Sequence, residues 1–294
     1  MIDQDWLASR FEENRPRLRM LAYRMLGSIN EADDAVQETW LRLSRSGAQG
    51  IENLEGWLTT VAARVCLDML RSRTARREEP LDPSLPEPAA GSDTRGDPEH
   101  EALLADSVSV ALLVVLDRLT PAERIAFVLH DMFDVSFDEI AAIVGRSVTA
   151  ARQLASRARR RVQGASAISA TARPQQRQVV DRFLAALRAG DFDGLLAVLD
   201  PDVVARVDGG GGRPGAPREV RGAQTWAKGA LAFTQAARFV HPALVDGRPG
   251  LILVRGLRLL RALCFEIAGD KIVQVDVVTD PARLRALDVA VFGD

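Results

Sequence analysis

Eight arginines and no carboxylate fall between Ile140 and Val180: Arg146, Arg152, Arg157, Arg159, Arg160, Arg161, Arg173 and Arg177. A surface of this kind suits a polyanion, because each guanidinium can neutralise a phosphate. Arginine can also pair with the edge of guanine, and glutamine with that of adenine. Most of these arginines lie in a helix-turn-helix pattern over 136–162. Ile140, Ala141 and Val144 form the inner face of a first helix, Gly145 permits the turn, and Val148, Ala151 and Leu154 return a second helix to the first. That register leaves Thr149, Arg152, Gln153, Ser156, Arg157 and Arg160 on the outer side, where the major groove of a duplex would be read. The alternative is an Arg-rich solvated helix, against which stands the lack of any neighbouring acid in the sequence.

A second constellation is acidic. In the segment from Glu31 to Leu41, Asp34 and Glu38 are four residues apart, as are Asp33 and Gln37, and Trp40 follows. Like charges at this spacing cost a helix a few tenths of a kcal/mol, roughly. A basic partner surface would offset that cost, and a plain solvated face is the alternative. A third constellation lies on a helix from about Leu54 to Arg73, apolar along Trp57, Leu58, Val61, Val65, Met69 and Leu70. It ends in Arg71, Arg73, Arg76 and Arg77, which can hold a phosphate backbone beside an unstacked base. Cations that merely stabilise a helix C-terminus are the other reading.

The elements that must position these groups are helical as far as about residue 163. Trp6, Phe11, Leu18, Leu21, Ala22 and Met25 give one apolar face. Gly27-Ser28 punctuates, a helix runs from about Asn30 to Leu43 with Ser28 or Asn30 as N-cap, and Ser44 to Glu52 reads as loop. Prolines 80, 83, 86, 88 and 98 make residues 78–100 a linker. Asp97-Pro98-Glu99 then opens a helix to about Arg118. Thr120-Pro-Ala-Glu123 and Ser136-Phe-Asp-Glu139 both read as capping boxes. After a small, polar tether at 164–173 the pattern becomes mixed. Helices at about 175–189 and 191–199 precede a strand at Val203–Asp208, a Gly-rich loop and a helix at about 222–236. Strands follow at Phe239–Asp246, Leu251–Arg255, Leu257–Ile267 and Lys271–Val278, with a tight turn at Gly269-Asp270.

Composition bounds the rest. The chain has 294 residues, 47% hydrophobic and 27% charged, with a net charge of −2, so two or three folded domains are expected. The small net charge conceals a segregation, since acids collect in Glu31–Glu38 and Glu78–Glu101. No apolar run approaches the ~18 residues of a membrane span, and the polar N-terminus lacks a signal-peptide core. A cytoplasmic protein without membrane contact is expected. Cys66 and Cys264 stand alone and read as core residues, and His100, His130 and His241 are scattered, so neither a metal site nor another cofactor is expected.

The order of the pieces is recognisable. Residues 5–163 resemble the two-domain sigma factors of the extracytoplasmic-function group. EADDAVQETWLRL is similar to their region-2 helix that docks on polymerase, GWLTTVAARVCLDMLR to the helix that reads and melts the minus-10 element, and LTPAERIAFVLHDMFDVSFDEIAAIVGRSVTAARQLASRARRRV to region 4, which enters the minus-35 groove. The resemblance implies core RNA polymerase and promoter DNA as partners. It places Asp33, Asp34, Gln37, Glu38 and Trp40 at polymerase, Trp57, Arg64, Arg71 and Arg73 at the minus-10 strand, and the outer face of the 147–162 helix at the minus-35 duplex. Many members carry Asn where Arg64 stands.

Residues 174–294 look like a SnoaL-like domain, an α+β cone carried by one sigma subgroup. That subgroup has three short motifs, matched here by Leu85-Pro86-Glu87-Pro88, Asp208-Gly209-Gly210-Gly211 and Asp280-Pro281-Ala282-Arg283-Leu284. They imply interdomain regulatory contacts. The expected architecture is therefore multidomain: an all-α region 2 domain at 1–77, the linker at 78–100, an all-α region 4 helix-turn-helix domain at 101–164, and the cone at 174–294. The cone fold also hosts enzymes that need a carboxylate base in an apolar pocket. Asp208, His241, Asp276 and Trp226 are the candidates here, but fold alone does not carry catalysis, and a possible small ligand is the milder expectation. Two rivals remain: a repressor or activator that works without polymerase, and an enzyme tethered to DNA.

Overall fold

A computed structural model describes residues 4–46, 50–77, 110–164, 172–208, 218–255 and 257–292. The chain divides into two compact units, Met1–Val108 with Leu116–Arg159, and Ser109–Val115 with Arg160–Asp294. The expected linker at 78–100 and the opening of its following helix lie outside the described residues.

The first unit begins with helices α1 (Gln4–Leu26), α2 (Ile29–Ser46) and α3 (Leu54–Arg77). Phe11, Leu18, Leu21, Ala22 and Met25 of α1 are buried, whereas Trp6, expected on that face, is 44% exposed and Leu7 takes its place. Gly27 adopts φ 73°, a left-handed turn that a side chain resists, and Ser28 accepts the Glu31 N–H at 3.4 Å to start α2. Ala32, Ala35, Val36, Thr39 and Leu43 form the buried stripe of α2. This helix runs three residues beyond the expected end, because the hydroxyls of Ser44 and Ser46 donate to the carbonyls of Leu41 and Leu43. Asn53 caps α3 by accepting the Gly56 N–H at 3.0 Å.

Next in the chain come α4 (Val110–Asp117), of which the residues to Val115 belong to the second unit, then α5 (Pro121–Phe127), a π-helical turn (Val128–Met132), α6 (Phe137–Val144) and α7 (Val148–Gln163). Both capping boxes form as expected, Thr120 with Glu123 and Ser136 with Glu139. Gly145 ends α6 at φ 70°, and Ser147 accepts the Ala150 N–H at the start of α7. The π turn has no sequence signature that periodicity detects.

The second unit is an α+β layer pair. Helices α8 (Arg173–Ala189) and α9 (Phe192–Val198) lead to β1 (Leu199–Val207) and β2 (Arg218–Arg221), then α10 (Ala223–Leu231) and a 3-10 turn (Thr234–Phe239). Strands β3 (Val240–Val245), β4 (Arg248–Arg255), β5 (Arg258–Ala268) and β6 (Lys271–Val278) precede α11 (Pro281–Ala286) and β7 (Val289–Ala290). The sheet order is β2-β1-β6-β5-β4-β3-β7, parallel between β1 and β6 and antiparallel elsewhere. Val179, Val180, Phe183, Leu184 and Leu187 are the buried side of α8, and Phe183 meets Phe265 of β5 at 5.2 Å between ring centroids. Strand β2 and helix α11 were not expected, since four and six residues are too few for periodicity to show.

Two close approaches hold this unit together. Gly250 of β4 faces Cys264 of β5, and a Cβ there would lie 2.1 Å from the Leu263 carbonyl oxygen. Asp208, just past β1, accepts the Thr279 N–H at 2.8 Å and its hydroxyl at 2.6 Å, the Asp280 N–H at 3.2 Å and Arg283 Nη1 at 3.3 Å. Asp280 in turn caps α11 by accepting the Arg283 N–H at 2.8 Å. Two of the three short motifs thus meet within one domain, through Asp208. The last turn of α7 also belongs to this unit, where the Val291 N–H donates to the Val162 carbonyl at 2.9 Å.

Two outcomes are expected. Gly250→Ala will cost about 1–3 kcal/mol, as an overpacked core does, read from urea unfolding; an unchanged midpoint refutes the tight approach. Burial opposes ionisation of Asp208, but the bonds from Thr279 and Asp280 and the charge of Arg283 outweigh it, so its pKa is depressed. The native state then binds fewer protons than the unfolded one, so the clasp's contribution is complete above the ordinary Asp value of about 3.9 and fades as pH falls through the depressed one. Asp208→Asn is expected to lower the melting temperature at pH 7, and the gap to the parent should narrow on acidification below pH ~4. A gap independent of pH refutes the charge-based clasp.

Candidate nucleic-acid interface

The outer face of α7 is available because its inner face is made of small residues. Ala151, Ala155 and Ala158 are almost fully buried, so α7 lies close against its neighbours. Thr149, Arg152, Gln153, Ser156, Arg157 and Arg160 are all exposed. Arg152 is braced from below by the Phe137 ring, its guanidinium carbon 5.6 Å from the centroid. The expected absence of acids is corrected for two arginines. Glu123, thirty-four residues upstream, sits 3.6 Å from Arg157, and Asp131 sits 2.6 Å from Arg159. Glu123 is buried in this pair, but the Arg157 side chain remains 54% exposed and so reachable from solvent.

On α3, Trp57, Arg64 and Arg71 are spaced by sevens and share one stripe, with Trp57 half-buried and both arginines exposed. Arg73, expected beside them, is turned inward instead. It pairs with Glu31, donates to the Leu26 carbonyl at 3.4 Å and lies 4.0 Å from Asp117. A guanidinium on the last turns of α3 is in reach of the α1–α2 corner, and that tertiary contact takes it out of the exposed set.

On α2, Asp33, Asp34 and Gln37 are exposed. Asp33 is paired with Arg19 at 2.6 Å and Glu38 with Arg42 at 3.0 Å, both at partly exposed positions. Trp40 meets the Phe11 ring at a tilt, 5.1 Å between centroids, and serves the helix packing. Leu41, 37% exposed, extends the stripe of Asp34 and Gln37 by one turn.

Arg124 is the group that sequence inspection missed. Only 4% of its side chain is exposed, and it donates to the Met25 carbonyl at 2.8 Å and to Asp117 at 3.1 Å. A lone arginine inside a capping box carries no local sign that its partner is ninety-nine residues away.

The four candidate catalytic residues of the second unit are not brought together. Asp208 and Asp276 border a polar cleft of about 240 Å³, with Asp276 paired to Arg248 at 2.8 Å. Trp226 instead borders an apolar cavity of about 420 Å³, with no Asp, Glu, His or Cys among its described lining residues. His241 borders neither, and burial together with the nearby Arg188 charge lowers its pKa. Both cysteines are buried free thiols, pushed by burial to about 12 for Cys66 and about 11 for Cys264. Among the described residues no group of His, Cys, Asp and Glu could hold a metal ion, and no helix is long and apolar enough to cross a membrane. The motif residues Leu85, Pro86, Glu87, Pro88, Gly209, Gly210 and Gly211 lie outside the described residues, while Asp280 caps α11 and Pro281 and the buried Leu284 lie in it.

Comparison with known proteins follows the same division. The Sigma-70 region 2 family model matches residues 10–76, and that of Sigma-70, region 4 matches residues 109–162. The probable ECF RNA polymerase sigma factor SigI of Mycobacterium tuberculosis H37Rv is 36% identical over 300 residues, covering 100% of this chain and 100% of that protein. The ECF RNA polymerase sigma factor SigJ of the same organism is 43% identical over 228 residues, 77% of this chain and 73% of that one. The crystal structure of SigJ gives a TM-score of 0.45 at 34% identity, covering 95% of this chain and 98% of that chain. A helix-turn-helix that presents guanidinium groups, an acidic helix ahead of it, and kinship along the whole length agree on one conclusion: the chain belongs to the extracytoplasmic-function family of RNA polymerase sigma factors.

Proposed function

We propose that this chain binds core RNA polymerase in the cytoplasm and directs initiation at promoters through a minus-35 and a minus-10 contact. The observation that carries this reading is the outer face of α7, where Thr149, Arg152, Gln153, Ser156, Arg157 and Arg160 are all exposed above a buried alanine face. Arg152 and Gln153 meet base edges, and Arg157 and Arg160 meet phosphates. Trp57, Arg64 and Arg71 face the minus-10 strand, and Arg73 is reassigned to internal packing. Asp34 and Gln37, with Asp33 and Glu38 at their sides, dock on polymerase. The subunit makes no bonds itself. Its C-terminal domain is a binding and regulatory domain, a reading supported by an apolar cavity without an acid or base among its described lining residues. The boundaries 1–77, 101–164 and 174–294 divide these roles.

Regulation acts on spacing. The two promoter elements lie about 25 base pairs apart, roughly 85 Å along B-DNA at ~3.4 Å per pair. In the first unit, by contrast, the end of α1 and the start of α5 are joined through Arg124. That packed arrangement is the resting state, and reading a promoter requires it to open. The C-terminal domain gates the opening. Supporting this, Val291 is hydrogen-bonded to Val162 in the last turn of α7.

Run-off transcription with reconstituted core enzyme tests the assignments. Arg152→Ala with Gln153→Ala should lower output by about tenfold or more, since each good base contact is worth ~1–3 kcal/mol, while core binding in a pull-down is retained. Asp34→Arg should show the opposite split, with lost core binding and retained affinity for a minus-35 duplex. Equal loss of both properties in either variant overturns the division of labour. Arg124→Met should enlarge the radius of gyration in solution scattering without lowering transcription, and removal of residues 165–294 should change promoter output. An unchanged radius with Arg124→Met, or identical output after truncation, sinks the gating scheme.

A further inference from the structure

We propose that the apolar cavity of the C-terminal domain is a binding site for a small amphipathic monoanion, an aliphatic or aryl carboxylate with its tail buried and its head at two arginines. The site lies in a different domain from the promoter contacts and does not depend on them.

The cavity's volume, about 420 Å³, falls in the range of small-molecule sites, roughly 300–1,000 Å³. Its body is built of Phe183, Leu187, Leu251, Leu253, Leu263 and Val277 from α8 and three strands. This wall gives an acyl or aryl group no hydrogen-bonding partner and repels a charged one, since an unpaired buried charge is costly.

The polar exceptions select the head group. The only charged side chains among the described lining residues are Arg218 and Arg261, and Thr225 and Trp226 are the remaining polar ones. No carboxylate lies within ion-pair distance of either arginine among the described residues. Arg261 is fixed in place by the Phe233 ring, with its guanidinium carbon 4.3 Å from the centroid. Burial of Arg261 lowers its pKa, partly countered by the more distant charge of Asp208. Arg261 is partly buried, and a partly desolvated cation gains more from an anion than a fully exposed one does.

Trp226 contributes a ring to the lining, not a donor, since its Nε1 has almost no accessible surface. Two guanidiniums beside an apolar wall therefore favour an anion over a neutral or cationic guest.

Decanoate and 1-decanol are the probes, since they share a ten-carbon tail and differ in head-group charge. Titration calorimetry with the full chain should show decanoate binding about tenfold tighter or more, the increment of one charge-assisted hydrogen bond. Arg261→Gln should bring the two affinities close together while leaving decanol unchanged. Arg218→Gln, at an exposed side chain, makes the same comparison without altering a strand interior. Gly229 lines the cavity, and a Cβ there meets nothing within 4 Å. Gly229→Phe should therefore fold and weaken both probes. In 15N-tryptophan spectra, the indole resonance that Trp226→Phe removes should shift with decanoate. Absence of binding, equal affinity for acid and alcohol in the parent, or binding indifferent to Gly229→Phe each overturns the proposal.

Discussion

Arg124 ties together distant parts of the first unit, joining α1 to α5 and to the end of α4. Its guanidinium is desolvated, yet it donates to the Met25 carbonyl in the last turn of α1 and to Asp117. Leaving a buried charge without its partner costs about 3–5 kcal/mol, whereas replacing the pair by a well-packed apolar group is often close to neutral. A contact of this kind does little for net stability and much for arrangement. Arg73 adds a second strut from α3 to Glu31. That is why a residue that looks suited to DNA by position is spent on packing.

The C-terminal domain keeps two chemistries apart. No carboxylate is among the described residues lining the apolar cavity, whereas Asp208 and Asp276 border a charged cleft that shares Val207 and Val277 with it. The acids that would serve as a catalytic base are thus committed to the polar side, Asp208 to Thr279 and α11, Asp276 to Arg248. The polar groups that border the cavity are the guanidiniums of Arg218 and Arg261 and the hydroxyl of Thr225. The non-catalytic reading therefore rests on these side chains and their pairing.

Much of the architecture was legible from residue order because it is set by short-range rules. A capping box acts over three residues, a helical stripe over three or four, and a left-handed glycine over one. Hence Thr120, Ser136, Gly145 and the exposed set from Thr149 to Arg160 were placed by local pattern alone. The same reasoning gave the long strands and the Gly269-Asp270 turn. It misjudged the end of α2, overlooked the short β2 and α11, and gave no sign of the π turn, each too brief or too dependent on neighbours to show a period.

What tertiary structure alone decided is which distant groups meet. Arg124 reaches Met25, Arg73 reaches Glu31, Glu123 reaches Arg157 and Asp208 reaches Thr279. No spacing rule connects these pairs, since each depends on how two independently formed surfaces pack. The cavity with Arg218, Arg261 and Trp226 is of the same kind, assembled from helices and strands that only the folded sheet brings together. Local chemistry thus determined which faces exist, and packing determined which of their charges remain free to act.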